Sequence, residues 1–142
     1  MPDREKKRIV LTAVMPLDTP MPSGRIYPKA GMEKAVKEYL DSHKGKVMLG
    51  ELNPDHEHSS FVTRLLNVSH QITKLEVKDS SLFCQVLLLD TPVGKIAQDI
   101  YNETNMLRFE PRATFHYEDV EQEDGTVKRE MRIDDLISID IV

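Results

Sequence analysis

Two apolar, β-branched runs, Val68–Val77 and Leu82–Leu89, are separated by only four polar residues, Lys78-Asp79-Ser80-Ser81. A short Asp/Ser link between two such runs predicts an antiparallel hairpin. An isolated hairpin is barely stable in water, so the rest of the chain must cover it with further strands or helices. Arg8–Met15 supplies a strand rich in β-branched residues, and Lys46–Leu49 a short one. Arg112–Tyr117, Val127–Ile133 and Leu136–Val142 complete the set, the first two joined by an acidic turn at Asp124-Gly125.

Two helices interrupt this β pattern. Met32, Ala35, Val36, Tyr39 and Leu40 recur at helical spacing, with Pro28 suited to the first turn and Gly45 to the stop. A second helix opens at Thr91-Pro92 and ends near Asn105, with Thr91 as its cap and Ile96, Ile100 and Tyr101 as its buried side. Between the first strand and the first helix, the three prolines and glycine of PLDTPMPSG cannot continue a ladder. The sum is about seven strands and two helices, an α+β domain. The expected architecture is a small antiparallel β-barrel or curled sheet flanked by two main helices. At 142 residues the chain fits one domain spanning residues 1–142, with residues 1–7 expected to be flexible.

Composition narrows the function. No run of about 18 apolar residues exists, so no helix is expected to span a membrane, and MPDREKKRIV leads into no signal-type apolar segment. A cytoplasmic protein is the expectation. The net charge of −5 argues against nucleic acid as a default partner. Residues 118–135 hold eight acids against three bases, a pattern expected of a solvated face. The single Cys84, in the run LFCQVLLLD, reads as a buried structural thiol.

Two clusters could carry chemistry. The loop Asp55-His56-Glu57-His58-Ser59-Ser60 offers a His-x-His half-site for a metal, or a histidine beside the serines as a base and nucleophile. A stable metal site needs about four donors, so no metal and no cofactor are expected. The catalytic candidates are His56, His58, Ser59 and Ser60. Further along, Arg108, Glu110, Arg112, His116 and Glu118 occupy even positions and would share one strand face. Such a face could grip an anionic group. His70 reads as a satisfied structural histidine. No Gly-rich phosphate loop and no dinucleotide fingerprint is present.

An ordered set of motifs resembles a known family. GRIYPKAGMEKAVKEYL is similar to the Arg-x-Tyr-Pro element and following helix of the prohead core proteases of T-even-like tailed phages. MLGELNPDHE is similar to that family's Gly-Glu-Leu-Asn-His-Pro element, which supplies its catalytic histidine. VSHQITKLEVKDSSLFCQVLLLDTPVGKIAQDI follows the family's order of Val-Ser-His, hairpin, Leu-Asp-Thr-Pro-x-Gly-Lys and helix, and LISIDIV resembles its last strand. The resemblance runs from about Gly24 to the end. It implies a herpesvirus-assemblin-like fold and a place in phage head assembly, in the host cytoplasm or in the prohead or virion.

The resemblance fails at the chemistry. Where the family has a Ser-Ser-Arg-Gly nucleophile element, this chain reads NMLRFEPRATF, with Glu110 and Pro111 at the serine positions and Arg112 at the family's arginine. Pro54 stands at the family's histidine. A carboxylate is a far poorer nucleophile towards an amide than an activated hydroxyl. The expectation is therefore a pseudoprotease that binds capsid, scaffold or protease protein. The family cleaves after glutamate, which implies a groove for acidic peptide lined by Glu51, Arg108, Glu110, Arg112 and His116. The alternatives are an active serine-type peptidase with a shifted catalytic set, such as His56 or His58 with Ser59, Ser60 or Ser69, and an accessory or inhibitory phage protein reusing the fold.

Overall fold

The computed structural model describes residues 8–54 and 63–142. The expectations for residues 1–7 and for His56, His58, Ser59 and Ser60 lie outside the described residues. Among the described residues, six strands and two helices run in the order β1 (Ile9–Pro16), α1 (Lys29–Ser42), β2 (Leu49–Glu51), β3 (Val68–Lys78), β4 (Ser81–Leu88), α2 (Pro92–Thr104), β5 (Phe109–Glu121) and β6 (Val127–Ile141). A 3-10 turn, Leu65–Asn67, leads into β3.

The hairpin that anchors the sequence pattern is present. Asp79 takes the left-handed conformation (φ 56°), which its short polar side chain tolerates, so β3 and β4 turn over just Asp79 and Ser80. Around this hairpin the strands pair antiparallel in the order β1-β4-β3-β2, while β5 and β6 form a second antiparallel sheet. Leu82, Cys84, Val86 and Leu88 alternate inward from β4 and are buried. They meet Met32, Ala35, Val36 and Tyr39 from α1, together with Ile139 and Ile141 from β6, in one core. Cys84 is buried as expected, and burial pushes its thiol up to about 12.

Three expectations are corrected. The sheets do not close into a barrel. β2 is three residues long and, among the described residues, forms no ladder with the second sheet beyond an isolated bridge between Leu52 and Ile141, and β1 and β5 do not pair. The expected strands Val127–Ile133 and Leu136–Val142 are one strand, β6. Its Asp134-Asp135 step lies on an exposed part of the ribbon, where the Asp135 amide donates to Thr114 Oγ1 and no turn is needed to keep the acids in water. In α2, Ile96 (50% exposed) and Ile100 (43%) face out, while Gly94 and Ala97 are buried. The helix start is pressed so close to the Leu89 carbonyl and Thr91 that only a glycine fits at position 94.

Candidate functional site

The polar centre of the molecule lies where β2, β5 and β6 converge. Arg112 is 7% exposed, and its Nη2 lies 3.0 Å from Glu51 Oε2 and its Nε 2.9 Å from Asp140 Oδ2. The same guanidinium donates to Ser138 Oγ (3.2 and 2.9 Å) and to Thr63 Oγ1 (3.1 Å). Ser138 in turn donates to Asp140 Oδ1 at 2.7 Å, and the Glu51 amide donates to the same oxygen at 2.9 Å. Glu51 also accepts the Arg64 amide (3.0 Å) and Asn67 Nδ2 (3.1 Å). Two buried carboxylates thus share one guanidinium, with backbone and side-chain donors on their remaining lone pairs. The network ties both ends of the segment between β2 and β3 to the second sheet.

This placement corrects the expectation that Arg108, Glu110, Arg112, His116 and Glu118 share one face. The β5–β6 register shifts between Arg112 and Ala113 and between Thr114 and Phe115, each shift leaving an extra residue on β6, which sets the stretch carrying His116 and Glu118 apart from the one carrying Arg108, Glu110 and Arg112. Arg112 turns inward to Glu51, whereas Arg108 and Glu110 pair with each other in solvent at 3.5 Å. His116 stands far out on the ribbon, between Asp134 (3.0 Å) and Glu118 (3.3 Å). Hydrogen bonds that its ring donates to the carboxylates of Asp134 first, then Glu118, raise its pKa. Of the expected groove residues, Glu51 and Arg112 meet in the interior, and Arg108, Glu110 and His116 remain at the surface.

A cleft of about 400 Å³ opens above this network, lined by Arg25, Tyr27, Pro54, Glu110, Pro111 and Arg112 among others. Pro54 and Glu110-Pro111, the positions at which the motif resemblance leads one to expect a histidine and serines, therefore meet in one cleft despite lying far apart in sequence. Among the described residues, no serine, cysteine or histidine lines it. Burial raises the pKa of Tyr27, partly offset by the neighbouring Arg25.

Among the described residues two hydroxyl–imidazole pairs lie elsewhere: Ser42 Oγ and His43 Nδ1, 3.1 Å apart and exposed at the end of α1, and Ser69 with His70 in the interior. His70 Nε2 lies 2.7 Å from the Ile139 carbonyl, and Ser69 Oγ lies 2.7 Å from His70 Nδ1. A carbonyl only accepts, so Nε2 carries the proton and Ser69 donates to Nδ1. The distances suit a nucleophile and base, but both residues are fully buried (0% exposed), so no substrate reaches them. Burial lowers the His70 pKa, partly opposed by the Ile139 hydrogen bond and Asp140. His70 is the satisfied structural histidine that its strand pattern suggested.

Sequence reasoning missed Ser138, Asp140 and Thr63. The only signal for Ser138 and Asp140 was polar alternation in LISIDIV, which reads equally well as a strand with one wet face.

No family model matches the chain, and no curated protein matches it. A solved structure does. The chain is similar in fold to the bacteriophage T4 capsid assembly protease, gp21. The TM-score is 0.75 with 19% sequence identity, covering 94% of this chain and 80% of that one. The protease-like fold implied by the ordered motifs is the fold observed.

Proposed function

We propose that this protein acts in phage head assembly as a binding protein that keeps a protease scaffold without peptide-bond cleavage. The observation that carries the reading is the cleft in which Pro54 and Glu110-Pro111 come together. The motif resemblance puts a histidine and a serine at those positions. Here they are an imino acid and a carboxylate, neither of which can serve as general base and hydroxyl nucleophile in acyl transfer. Arg112, the family's retained arginine, is engaged by Glu51 and Asp140. The likeness to a capsid assembly protease supports the setting, and capsid, scaffold or the active protease are the partners it suggests.

The test is labelling of purified protein with a fluorophosphonate, alongside incubation with the scaffold and capsid proteins of the same phage. The expected result is no covalent adduct and no cleavage, together with co-sedimentation with at least one of those proteins. Stoichiometric labelling at Ser59, Ser60 or Ser69 would establish a shifted catalytic set instead. Glu110→Ser alone is expected to stay unlabelled, because position 54 still lacks an imidazole.

A further inference from the structure

Among the described residues β1 is the edge strand of the four-stranded sheet with no strand on its outer side, and its chemistry is unusual for an exposed edge. Natural edges are blunted by charged side chains, prolines or bulges. Ile9–Pro16 carries no charged residue. Its blunting devices, the irregularity between Ala13 and Met15 and then Pro16, lie at its C-terminal end. The stretch Ile9–Ala13 is unprotected.

The register shows what that stretch presents. The Leu88 amide donates to the Arg8 carbonyl at 2.7 Å, and Val10 and Thr12 continue this phase opposite Val86 and Cys84. Alternate residues of a strand direct their N–H and C=O to opposite edges. Ile9, Leu11 and Ala13 therefore aim their backbone groups away from β4. Their side chains are also exposed, Ile9 at 57% and Leu11 at 65%, beside the half-buried Leu87 and Phe83 on the outer face.

We infer that this edge pairs with the β1 of a second copy of the chain, antiparallel about a two-fold axis at Leu11. In that register Leu11 faces its own counterpart, and Ile9 faces the partner copy's Ala13. A large side chain thus meets a small one on either side of the axis, and no like charges are opposed. About six backbone hydrogen bonds form, and the two four-stranded sheets become one continuous sheet. Self-complementarity of the stretch is what selects a second copy over a foreign strand. The contact is smaller than the roughly 800 Å² per partner of a standard interface, so the dimer is concentration-dependent, with a micromolar or weaker Kd.

Sedimentation velocity on the full chain, from low-micromolar to near-millimolar concentration, is expected to show a monomer–dimer equilibrium. Leu11→Lys places two ammonium groups across the axis and should weaken dimerisation by about tenfold or more. Circular dichroism checks that this exposed substitution leaves the fold intact. Independently, Leu11→Cys should give a disulfide-linked dimer under mild oxidation, since paired residues there stand about 5.5 Å apart at Cα. Leu66→Cys, 95% exposed but away from the edge, should not. In wild type, amide exchange should slow with concentration at Ile9, Leu11 and Ala13 and not at Val10 or Thr12. A monomer throughout the range, a dimer indifferent to Leu11→Lys, or no preferential cross-link at position 11 would overturn the inference.

Discussion

At the scale of single residues, the decisive side chain is Arg112. Sequence alone placed it on a strand face beside Glu110 and His116, and in the fold it is the buried one of the three. Its partners, Glu51, Ser138 and Asp140, are distant in sequence, and local periodicity has no access to such pairings. Removing the guanidinium leaves two carboxylates buried without their counter-charge, which typically costs about 3–5 kcal/mol. Arg112→Ala should therefore lower the urea midpoint sharply or prevent folding, and an unchanged midpoint would show the network to be dispensable. His70 gives a second residue-level expectation, through pH. Its folded pKa lies below the ordinary 6.5 because burial disfavours the imidazolium. Above about pH 6.5 both folded and unfolded forms are neutral there, and the group has no effect on stability. As pH falls below 6.5 the unfolded chain takes up a proton that the folded chain refuses, so stability drops. His116 works in the opposite sense, favouring the fold below 6.5 and losing that contribution as pH rises, but it is exposed and screened. Urea unfolding at about pH 7.5 and about pH 5.5 should show a smaller acid-side loss in His70→Gln than in wild type.

At the scale of elements, the start of α2 shows how a short motif sets a helix in place. Thr91 Oγ1 accepts the Gly94 amide at 3.0 Å, as a helix cap does, and donates its own hydrogen to the Val68 carbonyl. One hydroxyl thus fixes both the helix start and its docking on β3. Thr91→Ala is expected to cost about 1–2 kcal/mol, the upper part of the usual capping range. Thr91→Ser, which keeps the hydroxyl, should recover most of it in the same denaturation experiment. The cap and the helix limits were legible in the sequence. The buried face was not, because helical spacing nominates large apolar residues such as Ile96, while close approach to the Leu89 carbonyl demands glycine at position 94.

At the scale of the whole molecule, α1 is what makes two sheets one domain. It packs on β3 of the first sheet and on β6 of the second, with Met32 only 1% exposed between them. Met32→Ala should cost about 2–5 kcal/mol as a cavity-forming substitution. Because the sheets share one core, far-ultraviolet and tyrosine-fluorescence transitions should still coincide in that variant. Separate transitions would mean that the β5–β6 sheet unfolds on its own.

The sequence by itself determined the α+β class, the β3–β4 hairpin, both helices, the buried thiol at Cys84 and the ordered motifs of a phage prohead protease scaffold. These rest on local signals: period, turn chemistry, caps and motif order. Tertiary structure alone decided that the sheets stay open, that β6 runs unbroken through Asp134-Asp135, and that Arg112 is an interior ion-pair partner rather than a surface contact. It also brought Pro54 and Glu110 into one cleft. Each of these depends on which distant segments meet, and that is fixed by the packing of one shared core and the pairing of buried charges, which no local pattern encodes.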